Sequence, residues 1–347
     1  MTDRVEPAPE PSGARRAAGV GMRDVARAAG VSTQTVSRVL NGHPHIRDET
    51  RERVLEVMGV LGYRVNNAAR ALGTQQTKTI GVIAADATLY GPSVGIAAVE
   101  AAARAEGRWI ATTYADADDE ESVLAALDHL RGQGVDGIVL IAAHSRTRDV
   151  IDRRSDDLPV SVLHGDLGAL AQREAAAAVV DHLVGLGHRR LARVGGPSDW
   201  LEEEARSAGF EAALINGVSC VLHLHGDWSA ASGAVAGIEL AAAVRAPGGP
   251  TAIVVANDQM ALGVIASLRQ EGIEVPRDVS VAGFDDAPDA AFYLPSLTTV
   301  RLDVAAEARR CVLQIVEGDV VRESQPPAVN GGPPVLVERA STARPSR

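Results

Sequence analysis

From Thr79 onward the chain alternates short apolar runs with longer alanine-rich stretches. The runs are TIGVIAA (79–85), RWIATTY (108–114), GIVLIAA (137–143), PVSVLH (159–164), RLARVGG (190–196), SCVLHLH (219–225), TAIVVAN (251–257) and VSVAGF (279–284). Near-continuous apolar runs of this length are the pattern of parallel strands buried on both faces. The stretches between them, such as 93–106, 171–185, 229–245 and 259–271, are strong helix formers, and several end in Gly. Repeated β-α-β units in two blocks predict two doubly wound sheets, not a barrel. Ligands of open α/β sheets bind beyond the C-terminal ends of the strands, so the residues just after each run are where a site is expected. The tail 324–347 holds one short strand candidate, VLVER, and no leucine heptads.

Ahead of this body the pattern is helical. Residues 22–29 (MRDVARAA) place Met22, Val25, Ala26 and Ala29 on one face. Gly30-Val31 predicts a tight turn, and Ser32 is an N-cap for a second helix, TQTVSRVL, that ends at Asn41-Gly42. Val36, Val39 and Leu40 face inward on it, which leaves Thr33, Gln34, Ser37 and Arg38 on the outer side near its start. A third helix, expected to be capped by Asp48, runs to Gly62. Two short helices joined at a Gly turn read as a helix-turn-helix, whose second helix enters the major groove by its N-terminal end. There Gln can read adenine, and Arg can read guanine with two hydrogen bonds. A small bundle whose polar face is merely solvated has the same periodicity.

Charge sharpens the division. Residues 20–73 carry about +3 and the stretch after them −14, within a total of −11. A basic head on an acidic body suits a head that meets an anion. Lys78 is the sole lysine, so Arg at a given position is weak proof that Arg chemistry is needed there. The first 20 residues, rich in Pro, Ala and Glu, read as a disordered arm with no apolar secretory core. No apolar run approaches the ~20 residues of a membrane span. Cys220 and Cys311 lack the spacing of a disulfide framework or a metal site, which fits a cytoplasmic protein.

The string RDVARAAGVSTQTVSRVLNGHPHIRDETRERV resembles the head of the LacI family of bacterial regulators, and LGYRVNNAARAL resembles that family's hinge. GDWSAASG (226–233), VVANDQMALGVIASL (254–268) and VAGFDDAPDAAFYLPSLTTVRLDV (281–304) extend the likeness over about residues 21–340. The resemblance implies an allosteric transcription regulator, read here as a repressor. It would bind a palindromic DNA operator as a homodimer and respond to a small carbohydrate effector.

The implied fold is an all-α helix-turn-helix head plus an α/β body. The body would be two doubly wound parallel-sheet subdomains of the periplasmic-binding-protein-like type. Its expected divisions are a disordered arm (1–20), the head (21–64), a hinge helix and linker (65–78), an effector domain (79–340) and a disordered tail (341–347). Within 79–340, the N-subdomain takes about 79–175 and 304–331, and the C-subdomain about 176–303 and 332–340.

Carried over by matching position, Thr33 and Gln34 set operator sequence and Arg38 contacts bases. Thr35, Ser37, Asn41 and His45 contact mainly the DNA backbone. Asn66 caps the hinge helix, whose Ala69 and Leu72 face the minor groove, where an inserted leucine unstacks a base step. Val65 replaces a proline common in the family. Leu89, Pro92, Arg206, Trp228, Asn257 and Asp285 fall at effector-contacting positions, and Trp200 joins them because it follows a strand.

Trp200 and Trp228 each offer a flat ring for a pyranose, on which a β-galactoside or β-glucoside disaccharide is the expected effector. Ile141 and His164 stand where the family's namesake has polar sugar contacts. Leu302 and Val304 stand where it has a polar residue and an aromatic one, so the effector need not be the same. Trp109 is expected in the core, and Asp258 is expected mainly to cap the helix after its strand.

Other functions have little to support them. His223 and His225 point to one side of a strand, but no third metal ligand is evident nearby, so no metal and no cofactor is expected. The acidic run Asp116, Asp118, Asp119 and Glu120 reads as a solvated loop, and the EEE before ARSAGF as a helix start. No dinucleotide or phosphate-loop glycine motif and no GxSxG elbow occurs, so no enzyme and no catalytic residue is expected. A solute-binding transport protein would have such a body, but the head and the lack of a secretory signal argue against it.

Overall fold

The structure is a computed structural model that describes residues 20–40, 43, 45–63, 77–86, 88–116, 119–154, 158–165, 167–317 and 332–346. Asn41, Val65, Asn66, Ala69 and Leu72, and with them nearly all of the arm and hinge, lie outside the described residues. The chain divides into two compact units, 1–75 and 76–347.

The first unit holds α1 (Met22–Ala29), α2 (Thr33–Leu40) and α3 (Asp48–Leu61). Val25, Ala26, Ala29, Val36, Val39 and Val54 form its core. Gly30, at φ +66°, makes the turn from α1 in a left-handed conformation that costs glycine little. The Ser32 hydroxyl then accepts the Thr35 N–H at 3.0 Å, the cap expected of it. Asp48 is not a cap but the first residue of α3, which starts after Arg47 with no side-chain cap bond.

The second unit contains two four-stranded parallel sheets. The first is ordered β2-β1-β3-β4, from β1 (Thr79–Ala84), β2 (Trp109–Tyr114), β3 (Ile138–Ile141) and β4 (Val160–Val162). The second is ordered β6-β5-β7-β8, from β5 (Arg190–Gly195), β6 (Ser219–His225), β7 (Ala252–Val255) and β8 (Ser280–Ala282). All eight apolar runs are thus strands, trimmed at their ends. An antiparallel pair, β9 (Thr299–Arg301) and β10 (Val335–Val337), lies alongside the second sheet, and β10 falls within the expected VLVER.

Position within the sheet explains the burial. β3 and β7 lie inside their sheets and are buried at every residue. β2 and β6 are edges, and β6 alternates strictly between exposed and partly buried positions. Trp109, expected in the core, sits on edge strand β2 and is 61% exposed.

Helices follow the strands: α4 (Tyr90–Ala105), α5 (Glu120–Gly132), α6 (Ser145–Arg154), α7 (Leu167–Leu186), α8 (Leu201–Ala212), α9 (Ala230–Arg245), α10 (Asp258–Gln270) and α11 (Val304–Glu317). Of the acidic run expected as a loop, Asp119 and Glu120 instead start α5: Asp119 is its N-cap and accepts the Glu121 N–H. After the second sheet the chain returns to the first, where α11 packs on α4 and β4. The first lobe is therefore discontinuous in sequence.

The segment 341–347, expected to be disordered, is corrected in its first three residues. Ser341 is fully buried and its hydroxyl donates to the Val281 carbonyl at 2.6 Å. Ala343 exchanges hydrogen bonds with Ser280, and its carbonyl also meets His188.

Candidate functional site

In the head unit, helix packing decides which side of α2 is free. Val36 and Val39 are buried, while Thr33, Gln34 and Arg38 are exposed and Thr35 and Ser37 half-exposed. His45, in the turn before α3, is exposed as well. One end of a short helix therefore presents hydroxyl, amide and guanidinium groups together, the donors and acceptors that base edges and phosphates require.

In the body, the C-terminal ends of the two sheets border one cavity of about 320 Å³. The first lobe contributes Leu89, Tyr90, Pro92, Val94, Ile141, Ala142 and Leu163. The second contributes Gln172, Trp200, Glu202, Arg206, Trp228, Asn257, Asp285 and Asp286. His164 and Leu302 to Ala305, where the chain passes between lobes, also line it, as do Gly91 and Arg301. All seven residues expected to contact an effector are in this wall, as are Ile141, His164, Leu302 and Val304.

The backbone is unusual at the same places. Ala142, His164, Trp228, Asp285 and Asp286 have positive φ without being Gly. Each lies just past a strand end. Such conformations cost of order 1–3 kcal/mol each and persist only where surrounding structure imposes them.

That structure is visible around the last two. The Asp285 N–H donates to Val300 O, and the Asp286 carboxylate pairs with Arg301 and Arg339. Burial pushes the Asp286 carboxyl up, but these two arginines hold it below its ordinary value.

Arg206 organises the second lobe's wall. Its Nε donates to Gln172 Oε1 at 2.7 Å, another nitrogen to the Ala256 carbonyl, and the third to Asp285 Oδ1 at 3.1 Å. Its guanidinium lies 3.8 Å from the Phe284 ring centroid and 5.5 Å from that of Trp228. A planar, always charged fork suits a site that must meet three acceptors and two ring faces. Burial raises the Asp285 carboxyl despite this partner.

Asn257 holds the wall in place as well as lining it. Its Oδ1 caps α10 by accepting the Met260 N–H, and its Nδ2 donates to the Trp228 carbonyl at 3.0 Å. The capping role expected of Asp258 thus belongs to Asn257. Asp258 instead accepts from Thr299 Oγ1 and the Ala287 N–H, and burial together with nearby Asp285 pushes it up to about 8.

The two indoles form one aromatic corner. Their centroids are 5.5 Å apart and tilted by 58°, so they are not the two separate platforms expected for a disaccharide. Trp200 also meets the His144 ring, and His144 Nδ1 lies 3.0 Å from Asp199 Oδ2, a polar contact between the lobes beside the cavity.

Sequence reasoning missed several cavity residues. Gln172 is far from any strand end in its pattern, and nothing in the pattern around Tyr90 points to a site. Glu202 was read only as part of a helix start. Yet it is 7% exposed, and burial pushes its carboxyl up to about 7. Burial also holds the His164 imidazole down to about 4.

The expectation that His223 and His225 lack a third metal ligand is corrected. Glu203 comes within 4.8 Å of both. However, Arg193 Nη1 sits among them, 2.6 Å from Glu203 and 3.0 Å from His223 Nε2. A fixed guanidinium already supplies the positive charge a metal would bring, so this cluster is an internal ion pair, not a metal centre.

Comparison with known proteins agrees with these two units. The model of the bacterial regulatory proteins of the lacI family matches residues 21–66, and that of the periplasmic binding protein-like domain matches 180–342. The lactose operon repressor of Escherichia coli (strain K12) is 33% identical over 344 residues, covering 94% of this chain and 92% of its own. A crystal structure of the lac repressor dimer bound to operator and the anti-inducer ONPF superposes with a TM-score of 0.78 at 30% identity, covering 94% of this chain and all of that one. The complex of the transcriptional regulator CelR with cellobiose gives 0.63 at 26% identity, over 93% and 99% of the two chains. With a matched head, a matched body and relatives aligned over nearly their whole length, the chain belongs to the LacI family of DNA-binding transcriptional regulators.

Proposed function

We propose that this chain represses carbohydrate-utilisation genes, binding a palindromic operator as a homodimer and leaving it when a small sugar enters the cavity. In this reading residues 21–64 read the DNA, 65–78 form the hinge, and 79–340 sense a β-galactoside or β-glucoside. The observation that carries it is the shared cavity lined by Leu89, Pro92, Trp200, Arg206, Trp228, Asn257 and Asp285. Aromatic rings beside hydrogen-bonding side chains suit a pyranose, whose ring face is apolar and whose edge is hydroxylated. The operator-bound dimer and the cellobiose complex among its structural neighbours support the two halves of the reading.

The same cavity suggests how binding is communicated. Its wall includes His164 and Leu302 to Ala305, at two passages of the chain between lobes. A ligand there contacts both lobes and the segments that join them. It can shift the equilibrium between two lobe arrangements to the extent that it binds one better, and the factor by which it lowers operator affinity equals the factor by which operator lowers sugar affinity.

The test is to recover genomic fragments that the protein retains at moderate salt, then to titrate the enriched sequence with β-galactosides and β-glucosides. A shared palindrome released by a sugar is the expected result. Gln34→Ala should weaken that palindrome by about 1–3 kcal/mol while leaving sugar affinity unchanged. A palindrome that no sugar releases would remove the effector half of the proposal, and unchanged operator binding in Gln34→Ala would remove the role given to α2.

A further inference from the structure

Three successive glutamates open α8, and each has a different environment. Glu204 is exposed and accepts a hydrogen bond from the Ser145 hydroxyl. Glu203 is buried but doubly satisfied, by Arg193 at 2.6 Å and by the Gly196 N–H at 2.9 Å. Glu202 is buried too, lines the cavity, and has one carboxyl oxygen with no hydrogen-bond partner. Arg206 follows one turn later, but its three nitrogens are committed to Gln172, Ala256 and Asp285. A carboxyl in this position is costly unless something else satisfies it.

Two other cavity residues share the condition. The Gln172 side-chain nitrogen and the Trp228 indole nitrogen are buried without an acceptor. Three residues of the wall therefore carry, between them, one carboxyl oxygen and two N–H donors without partners. An ammonium ligand would serve the carboxyl and leave both donors unmet. A carboxylate or phosphate would serve the donors and face Glu202 with Asp285 beyond it. Groups that both donate and accept, as the hydroxyls of a sugar do, can donate to the carboxyl and accept from the donors.

We propose that Glu202 is a specificity-determining residue of this cavity, accepting a hydrogen bond from a ligand hydroxyl and turning away sugars that carry an anionic group, such as uronates. This rests on the reading of the cavity as a sugar site. An anionic ligand can enter only with Glu202 protonated, so each pH unit above its raised value of about 7 costs up to tenfold in affinity. The charged and titratable groups lining the same cavity are Arg206 on α8, Asp285 and Asp286 after β8, Arg301 on β9, Asp303 before α11, and Tyr90 and His164 from the other side. His164, held down to about 4, is neutral throughout the range used. Asp258, pushed up to about 8 behind Asp285, titrates in that range, but equally in the wild type and a Glu202 variant.

The experiment is calorimetric titration of the full chain and of Glu202→Gln with methyl β-D-glucoside, methyl β-D-galactoside and their uronate counterparts, at pH 6 and pH 8.5. The wild type should prefer the neutral sugar at pH 8.5 by up to about thirtyfold, and by much less at pH 6. Glu202→Gln should bind the neutral sugar within about tenfold of wild type and lose the pH-dependent part of the preference. A uronate that binds the wild type at pH 8.5 as well as its neutral partner overturns the proposal, with no need of the variant. So does an undiminished pH-dependent preference in Glu202→Gln. Either result leaves the sugar-binding reading standing, whereas failure of all four ligands to bind either protein overturns both.

Discussion

The two lobes meet the cavity with different surfaces. The first presents mostly carbon: Leu89, Pro92, Val94, Ile141, Ala142 and Leu163. The second presents a web of polar groups, with Arg206 bonded to both Gln172 and Asp285 and with Glu202 and Asn257 beside them. Apolar contact is non-directional and scales with area, so the first wall offers affinity to anything of the right shape. Fixed donors and acceptors reject a ligand that leaves them unpaired, so the second wall offers selectivity. The division separates recognition from response. In the proposed reading a sugar is identified by one lobe, and the contact it gains from the other depends on how the lobes sit.

Arg206→Ala should break this contrast most severely. It removes the partner of buried Asp285 and the donor to Gln172 and Ala256. A loss of about 3–5 kcal/mol in denaturant unfolding is expected, with sugar binding abolished. A change under about 1 kcal/mol would mean that the second wall does not depend on this ion pair.

Asp258→Asn tests the charge stored beneath that wall. The Asp258 value in the folded chain, about 8, lies above its unfolded value. Its contribution to stability is therefore fully present below about pH 4 and is lost as pH rises toward 8. The amide should remove this dependence. The variant should gain on wild type between pH 5 and 8.5 by an amount on the order of a few kcal/mol, read from melting temperatures across pH. Parallel profiles would show that Asp258 titrates normally.

Leu89→Ala probes the apolar wall. It should weaken every sugar that binds by a similar factor, about fivefold for roughly 1 kcal/mol of lost contact, without changing the order of preference. A changed order would give the first lobe a share in selectivity.

Asp199→Ala should have the smallest effect. It removes the side-chain bond to His144 across the lobes, while the Asp199 carbonyl still accepts the Ser145 N–H. Asp199 is 39% exposed, so a stability change below about 1 kcal/mol is expected by denaturant unfolding. A larger one would make this contact a latch between lobe arrangements.

Much of this was legible locally. The eight strands, the turn at Gly30 and the Ser32 cap follow from period and residue type, which act over a few neighbours. The positions after strand ends led to Trp200, Trp228, Asn257 and Asp285 because the topology of an open sheet sends every such end to one side. Errors arose where a distant segment decided the outcome. Trp109 looked like core until the sheet order made β2 an edge. The tail at Ser341 looked disordered, but its hydroxyl is taken up by Val281 and the Thr298 N–H.

The sequence by itself determined which segments are helix and strand, which face of α2 is polar, and which family the motifs resemble. Period, capping chemistry and turn residues are short-range causes, and they are written in consecutive positions. Only the tertiary structure decided what each side chain became. Glu202, Glu203 and Glu204 are the same residue in one helical turn, yet one is surface, one is paired inside and one borders the cavity. Arg193 from β5 makes that difference for Glu203, as it makes an ion pair of what two histidines and a carboxylate would otherwise offer a metal. A buried charge takes its character from its partner, and the partner is supplied by the fold.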